Sequence, residues 1–299
     1  EPRRSRPAWA TWQTLSLQKI IQAGDIANTG VEMSLAYNDH VGAVDFESRL
    51  VYSRNVNKVK KLVRNYHTGI DNQVINFTET SAGGGFIREG DSMGDVYITK
   101  VLKRDAAGNI AVGADGSLSS MDLPNGQRLK IGNTNPDFTL GWRNNISWKG
   151  LNLSFLINAR VGGIVTSSTQ AVLDQFGVSK ATADARDRGY VEVAGGQKVD
   201  PQKYYEVVAN QQLMGYYYYS ATNVRLQNVS LSYTLPKTLL GQGWPGVTVG
   251  LIANNLWMIY NKAPFDPEVA ASTGTYGQGS DYFSAPSLRN IGFSLKLNF

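Results

Sequence analysis

The chain has 299 residues, 42% of them hydrophobic, with 31 Gly, 15 Tyr, 10 Phe, no Cys and a formal net charge of +5. The lack of Cys excludes thiol catalysis, disulfides and thiolate-ligated metals. No run of about 18 apolar residues occurs, which excludes a transmembrane helix. A membrane β-barrel stays open, because its strands are apolar on one face only and average out in a mean hydropathy of −0.26. Lys and Arg are scattered among acidic residues, apart from Lys58-Val59-Lys60-Lys61 and Arg3-Arg4-Ser5-Arg6, so the positive balance does not point to nucleic acid. Glu1-Pro2-Arg3-Arg4 lacks the apolar core of a signal peptide, as expected of a mature chain or a fragment.

Taken in chain order, period-two alternation predicts nine strands, near 28–38, 44–54, 84–91, 94–104, 137–148, 151–161, 222–235, 247–258 and 286–299. In the first, Val31, Met33, Leu35 and Tyr37 share a face. Further on, Phe138, Leu140, Trp142, Ile146 and Trp148 alternate with Thr139, Gly141, Arg143, Asn145 and Ser147, and a tight turn at Lys149-Gly150 leads into Leu151, Leu153, Phe155, Ile157 and Ala159. The segment Val224 to Leu235 slips phase once near Asn228, which predicts a bulge. Val247, Val249, Leu251, Ala253 and Trp257 repeat the pattern. So do Ile291, Phe293, Leu295, Leu297 and Phe299 at the chain end, where a soluble protein seldom leaves an uncovered edge.

The connections alternate in length. Short ones are expected at Asn38–Ala43, Ser92–Gly94, Lys149–Gly150 and Pro236–Gly246, and long ones at roughly 55–82, 105–135, 162–221 and 259–285. Short turns at one end and long loops at the other predict an all-β fold, part of a large antiparallel transmembrane barrel with the short turns periplasmic. An odd strand count predicts that further strands lie upstream. Arg49, Arg143, Arg160, Arg225 and Lys296 fall between the apolar sets and are expected to face the lumen, since each would cost about 2–4 kcal/mol at the lipid midplane. Trp148 and Phe299 are expected in one aromatic girdle and Trp257 with Tyr260 in the other. The connection 162–220 contains a helix-like stretch, Ser167 to Phe176, and ends in Tyr216, Tyr217, Tyr218 and Tyr219. That run reads either as girdle and loop packing or as contact with a ligand or lid.

No catalytic constellation assembles. His40 and His67 fall in or beside loops, Asp105 to Asn109 lacks the alternating ligands of a calcium loop, and Asp266 with Glu268 flank a Pro as at a loop corner. An enzyme, a cofactor and a metal are therefore not expected. A secreted, soluble, β-rich glycan-binding module is the alternative.

Several blocks carry a family resemblance: Asn28 to Ser34, Gly132 to Phe138, Arg225 to Pro236, Asn255-Leu256-Trp257, Pro264-Phe265-Asp266-Pro267-Glu268 and Arg289 to Phe293. In this order the chain resembles the C-terminal barrel of SusC/RagA-type TonB-dependent outer-membrane transporters. The resemblance implies a barrel of about 22 strands with a plugged lumen, in the Gram-negative outer membrane with a periplasmic C-terminus. Residues 1–299 would form its C-terminal part, with 162–220 as a long extracellular loop. It further implies import of oligosaccharides or peptides, a SusD-like surface lipoprotein partner, and energy from TonB through a plug that this chain lacks. Barrel-assembly machinery would read the terminal strand, with Ile291, Phe293, Leu295, Leu297 and Phe299 as its signal. Residues 1–12 match nothing in the family pattern.

Overall fold

The computed structural model describes residues 24–67, 74–75, 78–82, 85–209, 211–241, 243, 245–269 and 279–299. Residues 1–12 lie outside that set, as does the side chain of His67. Seven strands form one antiparallel sheet in chain order: β1 Gly24–Val41, β2 Val44–Leu62, β3 Phe138–Trp148, β4 Leu151–Val161, β5 Asn223–Thr234, β6 Gly246–Asn261 and β7 Asn290–Asn298. Among the described residues, no helix is long and apolar enough to cross a membrane.

Two of the nine expected strands are not in this sheet. Residues around 84–91 and 94–104 form only short pieces. Gly85–Arg88 pairs with Glu79–Ala82, Asp95–Ile98 with Leu129–Asn133, and Lys100–Leu102 with Ser120–Asp122. Ser92–Gly94 is accordingly not a turn of the short-turn end. It lies on the extension of β2, where the Met93 N–H donates to Asn57 Oδ1 at 2.8 Å and the Val59 N–H to the Asp91 carbonyl at 2.8 Å. The physical cause is interruption: Glu89-Gly90-Asp91-Ser92 and Gly94 break the apolar alternation before either piece reaches the 9–11 residues a membrane crossing needs. The expected long connections 55–82 and 105–135 thus merge into one, running from Leu62 to Phe138.

The first two strands run longer than the alternation suggested, because pairing continues from Val41↔Val44 out to Gly24↔Leu62. Eighteen residues at the strand rise span about 60 Å, roughly twice the hydrocarbon thickness, so this hairpin projects well past its neighbours. At the other end, the β3–β4 turn is two residues, Lys149 and Gly150, with φ of 46° and 85°. Positive φ at both central residues is the turn whose twist matches a hairpin. The slip expected near Asn228 is a bulge at Gln227: Leu156 pairs with Asn228, and the next residue, Ile157, pairs with Leu226.

Register carries the alternation from strand to strand. Phe46 stands opposite Ile146, Ile146 opposite Leu153, Leu153 opposite Leu231, Leu231 opposite Leu251, and Leu251 opposite Phe293. Directly opposite residues share a face, so this row is an apolar stripe across six strands. A parallel stripe runs Leu35, Leu50, Trp142, Ile157. Leu35, Trp142, Leu231, Leu251 and Phe293 all remain exposed. A contiguous apolar face of this breadth needs a lipid or protein cover.

Among the described residues the buried clusters lie instead among the long connections and where the far end of β2 meets the first of them, at Val59, Leu62 and Ile87. Leu102, Ile110 and Leu118 of the first pack with Ala171, Val199, Val208 and Leu213 of the second, while Ala263 of the third joins Val165 and Ala221. Three helices, α1 Ser168–Gln175, α2 Lys180–Arg188 and α3 Pro201–Val208, frame the second connection. Leu231→Arg is expected to destabilise the protein folded in lipid by about 2–4 kcal/mol, whereas Ser230→Arg on the opposite face should change it little. Denaturant titration in bilayers measures both, and equal costs would refute the assignment of faces.

Candidate functional site

The face opposite the apolar stripes is concave and polar. It encloses a hollow of about 900 Å³ lined by Glu47, Arg49, Gly141, Arg143, Arg160 and Glu268, among others. Three of the five basic residues assigned to the lumen from the sequence therefore stand together. Arg49 lies directly opposite Arg143 across β2 and β3, and Arg160 opposite Thr139 across β3 and β4. Lys296 lies opposite Thr248 on β6, away from the hollow.

Arg225 sits apart and is 4% exposed. Its Nη2 lies 2.6 Å from Asp266 Oδ1 and 3.4 Å from Glu268 Oε2, and its Nη1 donates to Ser287 Oγ at 3.1 Å. Arg225 Nη1 also lies 3.5 Å from Oδ1 of Asn255 on β6, which adopts φ 50° at an irregularity in the β5–β6 register, a left-handed conformation that Asn tolerates better than most residues. From there the Asn255 Nδ2 donates to the Leu288 carbonyl at 3.1 Å. Asp266 and Glu268, a loop corner by sequence, thus tie the third connection to the barrel wall. Burial works to raise the Asp266 carboxyl, but hydrogen bonds from Ser287, the Glu268 N–H and Arg225 outweigh it and hold the group below its ordinary value.

The second connection is a folded unit rather than a loose loop. Its helices start where capping chemistry permits: Ser167 Oγ accepts from the Gln170 N–H, Ser179 Oγ from the Thr182 N–H, and Asp200 Oδ1 from the Lys203 N–H, with Pro201 at the first turn of α3. α2 ends at Gly189, φ 80°. The expected helix at Ser167 to Phe176 is present as α1. The sequence reading passed over the other two, whose local signals are the capping residues Ser179 and Asp200, the latter followed by Pro201. The tyrosine run divides by position. Tyr217 is 3% exposed inside the loop core, its hydroxyl donating to Asp174 Oδ2 at 3.0 Å, and burial together with that carboxylate raises its pKa. Tyr218 and Tyr219 pair with Thr166 and Val165 and are half-buried, and burial pushes Tyr219 up to about 12. Tyr216 keeps 39% of its surface open. An aromatic pair that the sequence reading passed over, Tyr282 and Phe283, is more exposed, its rings 5.2 Å apart and the Phe283 N–H bonded to Thr169 Oγ1 at 2.6 Å.

The remaining candidates resolve into ordinary structure. His40 Nδ1 lies 2.7 Å from Asp45 Oδ1 beside the first short turn, and Asp105 Oδ1 accepts from the Ala107 and Asn109 N–H groups of a local turn. Among the described residues no three His, Asp or Glu side chains group as metal ligands. On β7, Ile291, Phe293, Leu295 and Leu297 point to the apolar face, and Phe299 at the end is fully exposed.

An antiparallel wall with one apolar and one polar face, short turns at one end and packed long connections at the other, defines a segment of a β-barrel. Comparison agrees. No family model matches the chain. Among curated proteins it is similar to TonB-dependent receptor P3 of Formosa agariphila, 26% identical over 94% of this chain. It is also similar to TonB-dependent receptor P39 of the same organism, 27% identical over 68%. The chain spans only 29% and 20% of their lengths. Among solved structures, the RagAB peptide importer superposes with a TM-score of 0.60 in its closed-closed state, at 17% identity over 93% of this chain. The open-open state gives 0.63 at 19% identity over 92%, and the chain covers 30% and 29% of those chains. The resemblance to SusC/RagA-type TonB-dependent receptors read from the sequence blocks is borne out, and the fold is that of their barrel wall.

Removing Asp266 by D266A should cost about 3–5 kcal/mol, because a buried Arg225 is then left with an incomplete partner set. Since the Asp266 pKa is depressed, its contribution is present above the ordinary aspartate value of 3.8 and is lost as pH falls through the folded value. Proteolysis of the connection 262–289 should thus increase on acidification below about pH 4, and D266N should blunt that dependence.

Proposed function

We propose that the chain is the C-terminal barrel portion of an outer-membrane active transporter in a Gram-negative bacterium. The carrying observation is the register. Apolar residues stay in phase across six strands on one face while basic residues line the other, as a wall between lipid and an aqueous lumen requires. In this reading the turns at 42–43, 149–150 and 235–245 are periplasmic, as is the C-terminus, and the packed connections lie outside the cell. The full-length protein imports oligosaccharides or peptides with a SusD-like surface lipoprotein and draws energy from TonB through a plug encoded upstream. The names of the similar proteins, TonB-dependent receptors and a peptide importer, support that direction. Such a protein is a carrier rather than an enzyme.

The second connection, residues 162–220, is the proposed contact for lid or solute, with Tyr216 as the most open ring of the run and Tyr217 holding the unit together from inside. The terminal face Ile291 to Phe299 is the proposed signal for barrel-assembly machinery.

Cysteines introduced at exposed positions in 162–220 should react with an impermeant reagent on intact cells, and those in 236–246 should not; the reverse pattern would overturn the topology. Tyr216→Ala should weaken uptake or lid affinity severalfold at equal barrel yield, and an unchanged uptake would remove that ring from the contact. Tyr217→Phe should instead lower yield or thermal stability, since it leaves a buried Asp174 acceptor short of a donor at a cost of about 1–3 kcal/mol.

A further inference from the structure

Three arginines, Arg49, Arg143 and Arg160, line the hollow with two acids, Glu47 and Glu268, and Glu268 is already paired with the buried Arg225. Arg49 and Arg143 are direct cross-strand neighbours, which places their Cβ atoms about 4.5–5.5 Å apart, an arrangement that destabilises like charges. Neither makes an ion pair or a side-chain hydrogen bond among the described residues. The nearest acid on their face, Glu47, accepts from Asn145 Nδ2 at 3.0 Å, and Glu268 lies 3.4 Å from the buried Arg225. Arg160 stands on the same face, opposite Thr139, which lies four positions along β3 from Arg143, a rise of about 13 Å. Its Nη2 donates to the Thr134 carbonyl at 2.7 Å, but its Nε is buried with no partner. Between these cations the wall presents Gly141, so no side chain from that position fills the hollow of about 900 Å³.

We propose that Arg49, Arg143 and Arg160 form a carboxylate-receiving site on the lumen wall. A guanidinium presents a planar fork that matches a carboxylate through two parallel N–H···O bonds. One carboxylate between Arg49 and Arg143 would relieve their repulsion, and a second acidic group could use the open hollow up to Arg160. The inference rests on the concave face being the lumen of a transporter. Two sources supply the same chemistry there: acidic side chains of the upstream part of the full-length polypeptide, seated inside the barrel, or carboxylates of the solute passing through.

The test uses the full-length protein purified from membranes, as wild type and as R49Q/R143Q, R160Q and, for a lumen cation outside the hollow, K296Q. Tri-glutamate and tri-glutamine are the probes, titrated calorimetrically. In parallel, the urea concentration at which the upstream region becomes protease-sensitive is recorded. A solute source predicts tri-glutamate affinity at least tenfold weaker in R49Q/R143Q with tri-glutamine unchanged. An internal source predicts unchanged peptide binding but release of the upstream region at lower urea. K296Q should do neither. Where the glutamine variants fail to assemble, R49K/R143K retains the charge and loses the fork, and should show at least a threefold loss or the same urea shift. A double variant that matches wild type in both measurements overturns the site. Failure of the transporter reading would appear separately, as a reversed or absent labelling pattern of the wild-type wall.

Discussion

Backbone pairing in antiparallel register, with side chains alternating at period two, is the constraint on which the rest of this structure depends. In a membrane every strand N–H and C=O must find a partner within the sheet, since lipid supplies none. Where the strands pair in register along the apolar row, each residue's face is decided by its neighbours as well as by its own polarity. That is why Leu153, Leu231, Leu251 and Phe293 form one stripe, and why Arg49 and Arg143 must stand side by side on the other face. The bulge at Gln227 matters for the same reason: without the extra residue, everything in β5 upstream of it would change sides.

Positive charge on the inner wall and packing among the connections are linked through the third connection. Pro264 to Glu268 returns over the wall to meet Arg225, and Glu268 reaches the same hollow that Arg160 lines. Ala263 and Phe265 pack beneath Tyr219 and Ala221 of the second connection, and that connection shares a core with Leu102, Ile110 and Leu118 of the first. A change at the inner wall therefore has a continuous packed route to the outermost segments. Loops built this way are held by burial and by a buried ion pair, unlike the loosely tethered tips usual on protein surfaces.

Much of the wall was legible in the sequence. Exposed to lipid on one side and water on the other, a barrel strand has to alternate, so β3, β4, β5, β6 and β7 were found close to their observed bounds. The two false strands near 84–91 and 94–104 show where that signal fails. A short alternating piece inside a long connection obeys the same local rule, and only its partners, Glu79–Ala82 and Leu129–Asn133, reveal that it never reaches the sheet. β1 and β2 extend further than alternation indicates for the converse reason: beyond Val31 and Arg54 the alternation is lost, and the strands continue because they pair with each other.

For this chain, then, the sequence by itself determined the class of fold, the two faces of the wall, the bulge and the first loop helix, because each follows from interactions within a few residues or from solvent on either side of one strand. The tertiary structure alone decided what long-range contact creates. It buried Tyr217 while leaving Tyr216 open and turned Asp266 and Glu268 from a loop corner into the partners of Arg225. It also gathered Arg49, Arg143 and Arg160 around one hollow. These residues lie tens to hundreds of positions apart, and no local periodicity encodes which of them will meet.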